Sequence, residues 1–298
     1  MRINFVLLLI FIILFSACAK STTLTPTPSN VLISTASMPV GLTPTHTENH
    51  ITPTLTMSQS PTSIPPTPTP SMTPPPQLQI CSPLTDVALD QLDQYVVNPF
   101  NPPRLGSDDP HQGVDLAILS DPDRIALTGA PVHAVISGQV AAVIEDRFPY
   151  GNAVMIETPL HELPPDRLHL LLIPTTAPTM PPHPSLTCPQ TGEYPYWNHE
   201  KRSLYLLYAH LQHPPGYQVN DQIACGDLLG TIGDSGNALN PHLHLELRVG
   251  PAGARFPGIA HYETRARPEE MEAYCIWRVS GIFQLLDPLL LFSLDPIE

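Results

Sequence analysis

The stretch Pro241–Val249 alternates strictly between two kinds of residue. Leu243, Leu245, Leu247 and Val249 fall at one parity, and His242, His244, Glu246 and Arg248 at the other. A period of two is the signature of a β-strand, whose side chains point to opposite faces in turn. The leucine face is therefore predicted to enter a core and the imidazole face to be held against a site. Other segments read the same way. Pro131–Ile144 is rich in β-branched residues and is broken by Gly138, which predicts two short strands or one kinked strand. Gly151-Asn152 marks a turn or bulge before a strand at Ala153–Glu157. Ser203–Leu211 and the glycine-punctuated Asp227–Gly233 are further strands, and alternation places His210 on the face of Tyr208 and Leu206. Helical periodicity is scarce before Glu269–Tyr274. Several short strands separated by turn signals predict an antiparallel all-β domain with long loops. The pattern breaks between Thr158 and Arg202, a proline-interrupted stretch that reads as an insertion, either a lid or wall of a groove or a tolerated surface loop.

The N-terminal part has a different grammar. An apolar run from Phe5 to Phe15 follows Met1-Arg2 and ends in Ser16-Ala17-Cys18. It is short of the roughly 20 residues a spanning helix needs and fits a secretory signal. Phe15-Ser-Ala-Cys18 resembles the bacterial lipoprotein signal, which implies removal of residues 1–17 and acylation of Cys18; Phe15 stands where an aliphatic residue is usual. Residues 18–77 are dominated by Thr, Pro and Ser, as in Pro65-Pro-Thr-Pro-Thr-Pro. Too few large apolar residues are present there to bury a core, and polyproline II is favoured. At ~3.1 Å per residue such a stalk reaches on the order of 150 Å. The chain is thus expected to be exported and held at the cell envelope, on the extracytoplasmic side of a membrane. Residues 78–298 remain for one folded domain, with a central part at 110–250, the insertion at 158–202 and an extension at 251–298. A formal charge of −14 argues against nucleic acid as a partner. Besides Cys18 there are Cys81, Cys188, Cys225 and Cys275, an even number in an exported domain. Their spacing is too wide for a CxxC-type zinc site, and three pairings are open. Cys81 and Cys275 lie near the two ends of the domain, which suggests pairing them and leaving Cys188 to Cys225; free buried cysteines are the alternative.

The candidate chemistry sits in three separated segments: His111-Gln-Gly-Val-Asp115, Tyr208-Ala-His210-Leu and Pro241-His242-Leu-His244-Leu-Glu246. Together they supply four imidazoles and one carboxylate, enough for three zinc ligands and two acid–base groups. Zinc takes such borderline and hard ligands, and a site with three of them keeps an open position. Gly113 between His111 and Asp115 argues for a turn entering a strand rather than a helix. Glu246 is either an orienting partner for an imidazole or a solvated strand residue. His161-Glu162 is not a metalloprotease helix, because Leu-Pro-Pro follows. His133, His169, His183, His199, His213 and His261 have no motif partner and are read as structural or surface residues.

In this order the three segments resemble the LytM/lysostaphin-type zinc metalloendopeptidases of peptidase family M23, with further likeness in Pro131-Val-His-Ala, Tyr150-Gly-Asn-Ala-Val and Gly226-Asp-Leu-Leu-Gly-Thr-Ile-Gly. The likeness covers about residues 110–248. It implies an antiparallel β domain of the duplicated hybrid motif type, zinc held by His111, Asp115 and His244, and His210 and His242 as catalytic histidines. It implies peptidoglycan as the partner and hydrolysis of its peptide cross-links as the activity. Ala238-Leu-Asn240 departs from the small hydroxyl residues and glycine usual before Pro-His-x-His, which bears on substrate preference. Two other readings stand beside this one. One is a non-catalytic wall-binding module that activates other wall hydrolases; the other is an exported peptidase acting on proteins. Which histidine performs which step, and which bond is cut, the residues leave open.

Overall fold

A computed structural model describes residues 78–179, 186–189 and 195–293. The chain divides into two units, Met1–Thr69 and Pro70–Glu298, and the described residues all belong to the second. The signal, Cys18, the stalk, His183 and parts of the insertion lie outside them.

Among the described residues three short 3-10 helices accompany ten strands and two α-helices, which follow one another along the domain. They are β1 (Val96–Asn98), β2 (Val114–Leu116), β3 (Pro131–His133), β4 (Gly138–Arg147), β5 (Gly151–Pro159), α1 (Pro165–Leu170), β6 (Arg202–Leu211), β7 (Gln222–Ile223), β8 (Leu228–Thr231), β9 (Leu243–Pro251), α2 (Pro268–Arg278) and β10 (Gln284–Leu286). Among the described residues eight strands form one antiparallel sheet in the order β1-β2-β9-β6-β5-β4-β7. β10 continues the free edge of β9 where β2 stops, pairing Gln284–Leu286 with Leu247–Val249. β3 and β8 make a separate two-stranded ribbon. The domain is therefore all-β and antiparallel, as its alternation predicts.

Each long strand feeds two cores, one per face of the sheet. On the first face Leu243, Leu245, Leu247 and Val249 of β9 pack with Leu204, Leu206 and Tyr208 of β6, Val154 and Ile156 of β5, and the ribbon residues Val132 and Leu229. On the second face Tyr205 and Leu207 of β6 and Met155 of β5 pack against Ala273, Tyr274, Ile276 and Trp277 of α2 and Phe256, Ile282 and Phe283. Side-chain alternation is what lets one strand serve both. The outer half of the second core comes from residues 254–283 of the C-terminal extension, so the face of β9 that carries His244 and Glu246 is covered rather than solvated. A buried carboxylate pins the start of that extension: Glu157 accepts from Ser203, Tyr205, Arg255 and the Gly253 amide.

Two disulfides join the periphery to this frame, Cys81–Cys225 and Cys188–Cys275. Pairing by position near the ends of the domain, Cys81 with Cys275, does not occur. The reason is topological: the Cys81 amide donates to Val135 O, beside which the Cys225 turn also lies, whereas Cys275 is on α2, across the sheet. The insertion is likewise not a wall of the histidine cleft in its described residues. Arg167 of α1 donates to Ser293 O, Thr187 O faces His261, and Cys188 is bonded to α2. Removing the second disulfide as Cys188→Ser/Cys275→Ser should cost about 2–5 kcal/mol, the usual loss for a small exported domain. Denaturant unfolding measures it, and an unchanged midpoint would contradict the anchoring role.

Candidate metal centre

The ladder itself brings the first two groups together. β2 pairs with β9 so that Asp115 stands directly opposite His244, flanked by Val114↔Leu245 and Leu116↔Leu243. Directly opposed residues share a face, so the apolar neighbours turn into the first core while the carboxylate and imidazole turn to the second face. Asp115 Oδ1 lies 2.7 Å from His244 Nδ1. His111 reaches the same point from the turn before β2, where it bridges to Asn101. Its Nε2 is 3.1 Å from Asp115 Oδ1 and 3.2 Å from His244 Nδ1. Gly113 makes this approach possible: a Cβ there would lie 2.5 Å from Leu245 O and 2.8 Å from His244 Cε1.

The other atoms of the three side chains are each held from behind. His111 Nδ1 faces Pro99 O at 2.8 Å, His244 Nε2 faces Glu246 Oε1 at 3.2 Å, and Asn98 Nδ2 donates to Asp115 Oδ2 at 2.9 Å. A carbonyl and a carboxylate only accept, so those two ring nitrogens carry the hydrogens and their counterparts carry lone pairs. Three acceptors thus converge on one point, an arrangement that demands a cation. The three atoms are separated by 2.7–3.2 Å, close to the roughly 3.3 Å edge of a tetrahedron with zinc–nitrogen bonds of about 2.0–2.1 Å. His111, Asp115 and His244 form the one such group of three among the described residues. The donor set fits zinc, and the backing partners are the kind that fix ring orientation in metal sites.

Charge follows the same logic. Burial alone would raise the Asp115 carboxyl, but hydrogen bonds from His111 and His244 and the nearby imidazoles hold it far below the usual carboxylate range. Burial would lower His244, yet Asp115 and Glu246 lift it to about 9, so that without a metal the site takes up a proton instead. Glu246 is fully buried, which answers the question its alternation left open: it is no solvated residue. Burial works against its ionisation, and Arg248 and Arg278 keep it well below the ordinary range.

His210 and His242 complete the cluster, their rings edge to face at 4.7 Å between centroids. His210 Nδ1 meets Ser235 O at 2.7 Å and His242 Nδ1 meets Asn240 O at 2.7 Å. Both rings therefore donate backwards and present Nε2 forwards; His242 Nε2 is 3.5 Å from Asp115 Oδ1. His210 does not follow the strict alternation read from the sequence. Ala209 and His210 together oppose Ala153, since Asn152 pairs with Leu211 and Val154 with Tyr208. This is a β-bulge, with His210 at φ 61°. Tyr208 and Leu211 stay in the first core while the His210 ring swings to the other face, 5.6 Å from that of His244. Burial, followed by the charges of His244 and His242, pushes His210 down to about 3, so it is a neutral acceptor at physiological pH.

All five groups open into one cleft of about 940 Å³. Its walls include Tyr150, Leu239, Tyr262, Tyr274 and Arg278, of which Leu239 is almost wholly exposed. Sequence patterning missed Asn98 and the α2 residues Trp277 and Arg278, which lie outside every motif. Of the histidines without motif partners, His133 bonds Thr85 and Gly226 O, and His261 bonds Thr187 O, away from the metal ligands.

The model of Peptidase family M23 matches residues 189–255, which contain His210, His242 and His244. The match spans β6 to β9 and ends before α2. No curated protein matches the chain. Among solved structures, the catalytic domain of the prophage-encoded M23 protein EnpA from Enterococcus faecalis is similar at 19% identity over 54% of this chain and 84% of that one, with a TM-score of 0.31. The catalytic domain of the antimicrobial peptidase lysostaphin from Staphylococcus simulans is similar at 20% identity over 54% and 86%, with a TM-score of 0.31. A zinc-containing peptidase from Vibrio cholerae shows 21% identity over 51% of this chain, a TM-score of 0.29, and a match spanning about a third (32%) of its own length.

Gly113→Ala should force His244 off its position, costing about 1–3 kcal/mol as overpacking does and weakening metal uptake. Melting with and without zinc measures both, and a variant stabilised by zinc as strongly as the wild type would refute the close-approach argument. His210 gives a pH prediction. Its folded pKa of about 3 lies below the ordinary value of 6.5 for a histidine, so the unfolded chain binds the extra proton between those values. The stability it contributes is present above pH 6.5 and is lost as pH falls, by about 1.4 kcal/mol per pH unit at most. His210→Asn should flatten that part of the stability–pH curve; an identical acid slope in the variant would show that the ring is not so buried.

Proposed function

We propose that this chain is a zinc-dependent endopeptidase that hydrolyses peptide cross-links of bacterial peptidoglycan. The observation that carries the reading is the convergence of His111, Asp115 and His244 on one point, with His210 and His242 facing it across an open cleft. His111, Asp115 and His244 would hold a zinc ion, which would supply Lewis-acid activation of water and of a peptide carbonyl.

The remaining chemistry belongs to the chain. His210, neutral and with its Nδ1 hydrogen committed to Ser235 O, is placed to accept the proton of the attacking water at Nε2. His242, anchored at Nδ1 by Asn240 O, faces the same space, where its Nε2 in the protonated form donates to the developing oxyanion and then to the leaving amine. The M23 match supports a peptidase, and the resemblance of the three histidine segments to the LytM/lysostaphin-type endopeptidases supports a cell-wall substrate. Export and acylation at Cys18 rest on Phe15-Ser-Ala-Cys18 and would hold the protein at the envelope.

Digestion of purified peptidoglycan by the zinc-loaded chain, followed by mass spectrometry of the released fragments, tests the reading. New peptide ends are expected, and they should fall at least about 100-fold in His244→Ala, as loss of a core catalytic group commonly does. Zinc-loaded protein that binds the wall and releases no new ends would contradict it in favour of a non-catalytic module.

A further inference from the structure

Glu246 is the most heavily engaged polar group near the metal centre. It sits two residues beyond His244 on the same face of β9, fully buried. Its Oε1 accepts from His244 Nε2 at 3.2 Å, Tyr150 OH at 2.8 Å and Arg278 Nη1 at 2.9 Å. Its Oε2 accepts from Trp277 Nε1 at 2.8 Å and from Arg248, whose Nη2 is 2.9 Å away. Two of these donors, Trp277 and Arg278, stand at the end of α2, beyond residue 255, where the family match stops.

The division of labour between the two oxygens is what matters. Trp277 and Arg248 pin Oε2, and this fixes the plane of the carboxylate. Oε1 is then directed at His244 Nε2, with Arg278 and Tyr150 steadying it. A carboxylate so placed keeps the hydrogen of His244 on Nε2 and the lone pair on Nδ1, the atom that meets Asp115 and His111. Buried carboxylates that lose a partner reorient or draw in water, and either change frees the ring. Arg278 itself is fixed by Tyr150 OH at 3.1 Å and by donating to Asp108 O at 2.8 Å, and its guanidinium lies over the Tyr150 and Tyr274 rings. Trp277 is held in the second core with Tyr205, Phe256 and Phe283.

We infer that α2 is a working part of the metal centre: Trp277 and Arg278 are positioning residues that act through Glu246 to present His244 Nδ1 to the ion. The inference rests on the zinc reading of His111, Asp115 and His244. It extends the centre into the C-terminal extension, beyond the three ligands and the two facing histidines.

The test is zinc affinity of the full chain, measured by competition with a chromophoric chelator. Trp277→Phe removes the indole donor and keeps an aromatic ring; Arg278→Met removes the guanidinium; Arg278→Lys restores a charge. Ile276→Val, on the same helix and in the same core, controls for general loosening of α2. The variants are compared by melting in the metal-free state, so that lost folding is separated from lost affinity. Zinc binding about 10–100-fold weaker is expected for Trp277→Phe and Arg278→Met, the range typical of groups that orient a metal ligand. Arg278→Lys should recover part of the loss, and Ile276→Val should stay within about twofold, since it alters no group of the polar chain. Wild-type zinc binding with Trp277→Phe and Arg278→Met no weaker than Ile276→Val would overturn the inference alone. A wild-type chain that binds no zinc would overturn it together with the reading of the site.

Discussion

The opposition of Asp115 and His244 across the β2–β9 ladder is the constraint from which the site follows. An antiparallel register admits no partial slip. A slip of β2 by one residue would carry Asp115 to the Leu-rich core and bring Val114 or Leu116 to the cleft beside His244 in its place. The apolar alternation of β9 therefore does more than fill a core. It holds a carboxylate and an imidazole within hydrogen-bonding distance on the opposite face, and His111 needs only the tight turn at Gly113 to reach them.

That arrangement would be costly if the histidine face were wet on a mobile strand or dry without counter-charges. The domain resolves this with a second layer. α2 and the residues around it cover the face opposite the first core, and they bring Trp277 and Arg278 to Glu246. Arg248 and Arg278 compensate the buried carboxylate, and the carboxylate in turn orients His244. The second core and the metal centre are thus one construction. Packing fixes the donors, the donors fix Glu246, and Glu246 fixes the ligand.

Much of this was legible in the residues. Strict alternation located β9 and assigned its faces, Gly138 located the break between β3 and β4, and the three histidine segments found the five groups of the cleft. What escaped had physical causes. A β-bulge reverses parity, and nothing in Tyr208-Ala-His-Leu announces that His210 will adopt positive φ, so strict alternation assigns it to the opposite face. Trp277 and Arg278 act by long-range burial, which leaves no periodic trace beyond a short helical pattern. The disulfides depend on which loops meet over the sheet, and spacing along the chain carries no information about that; Cys225 meets Cys81 because both lie against Val135 O in the bend between β3 and β4.

The claim on which the rest depends is that three side chains converge on a zinc ion. X-ray absorption at the zinc edge, with metal content measured on the same purified chain, addresses it most directly. The account predicts one zinc per chain, with nitrogen and oxygen ligands at about 2.0–2.1 Å and no sulfur. It also predicts that the signal is abolished when His111 and Asp115 are both replaced by alanine in a chain that keeps its melting transition. Zinc bound through sulfur at about 2.3 Å, or retained undiminished by that double variant, would contradict it.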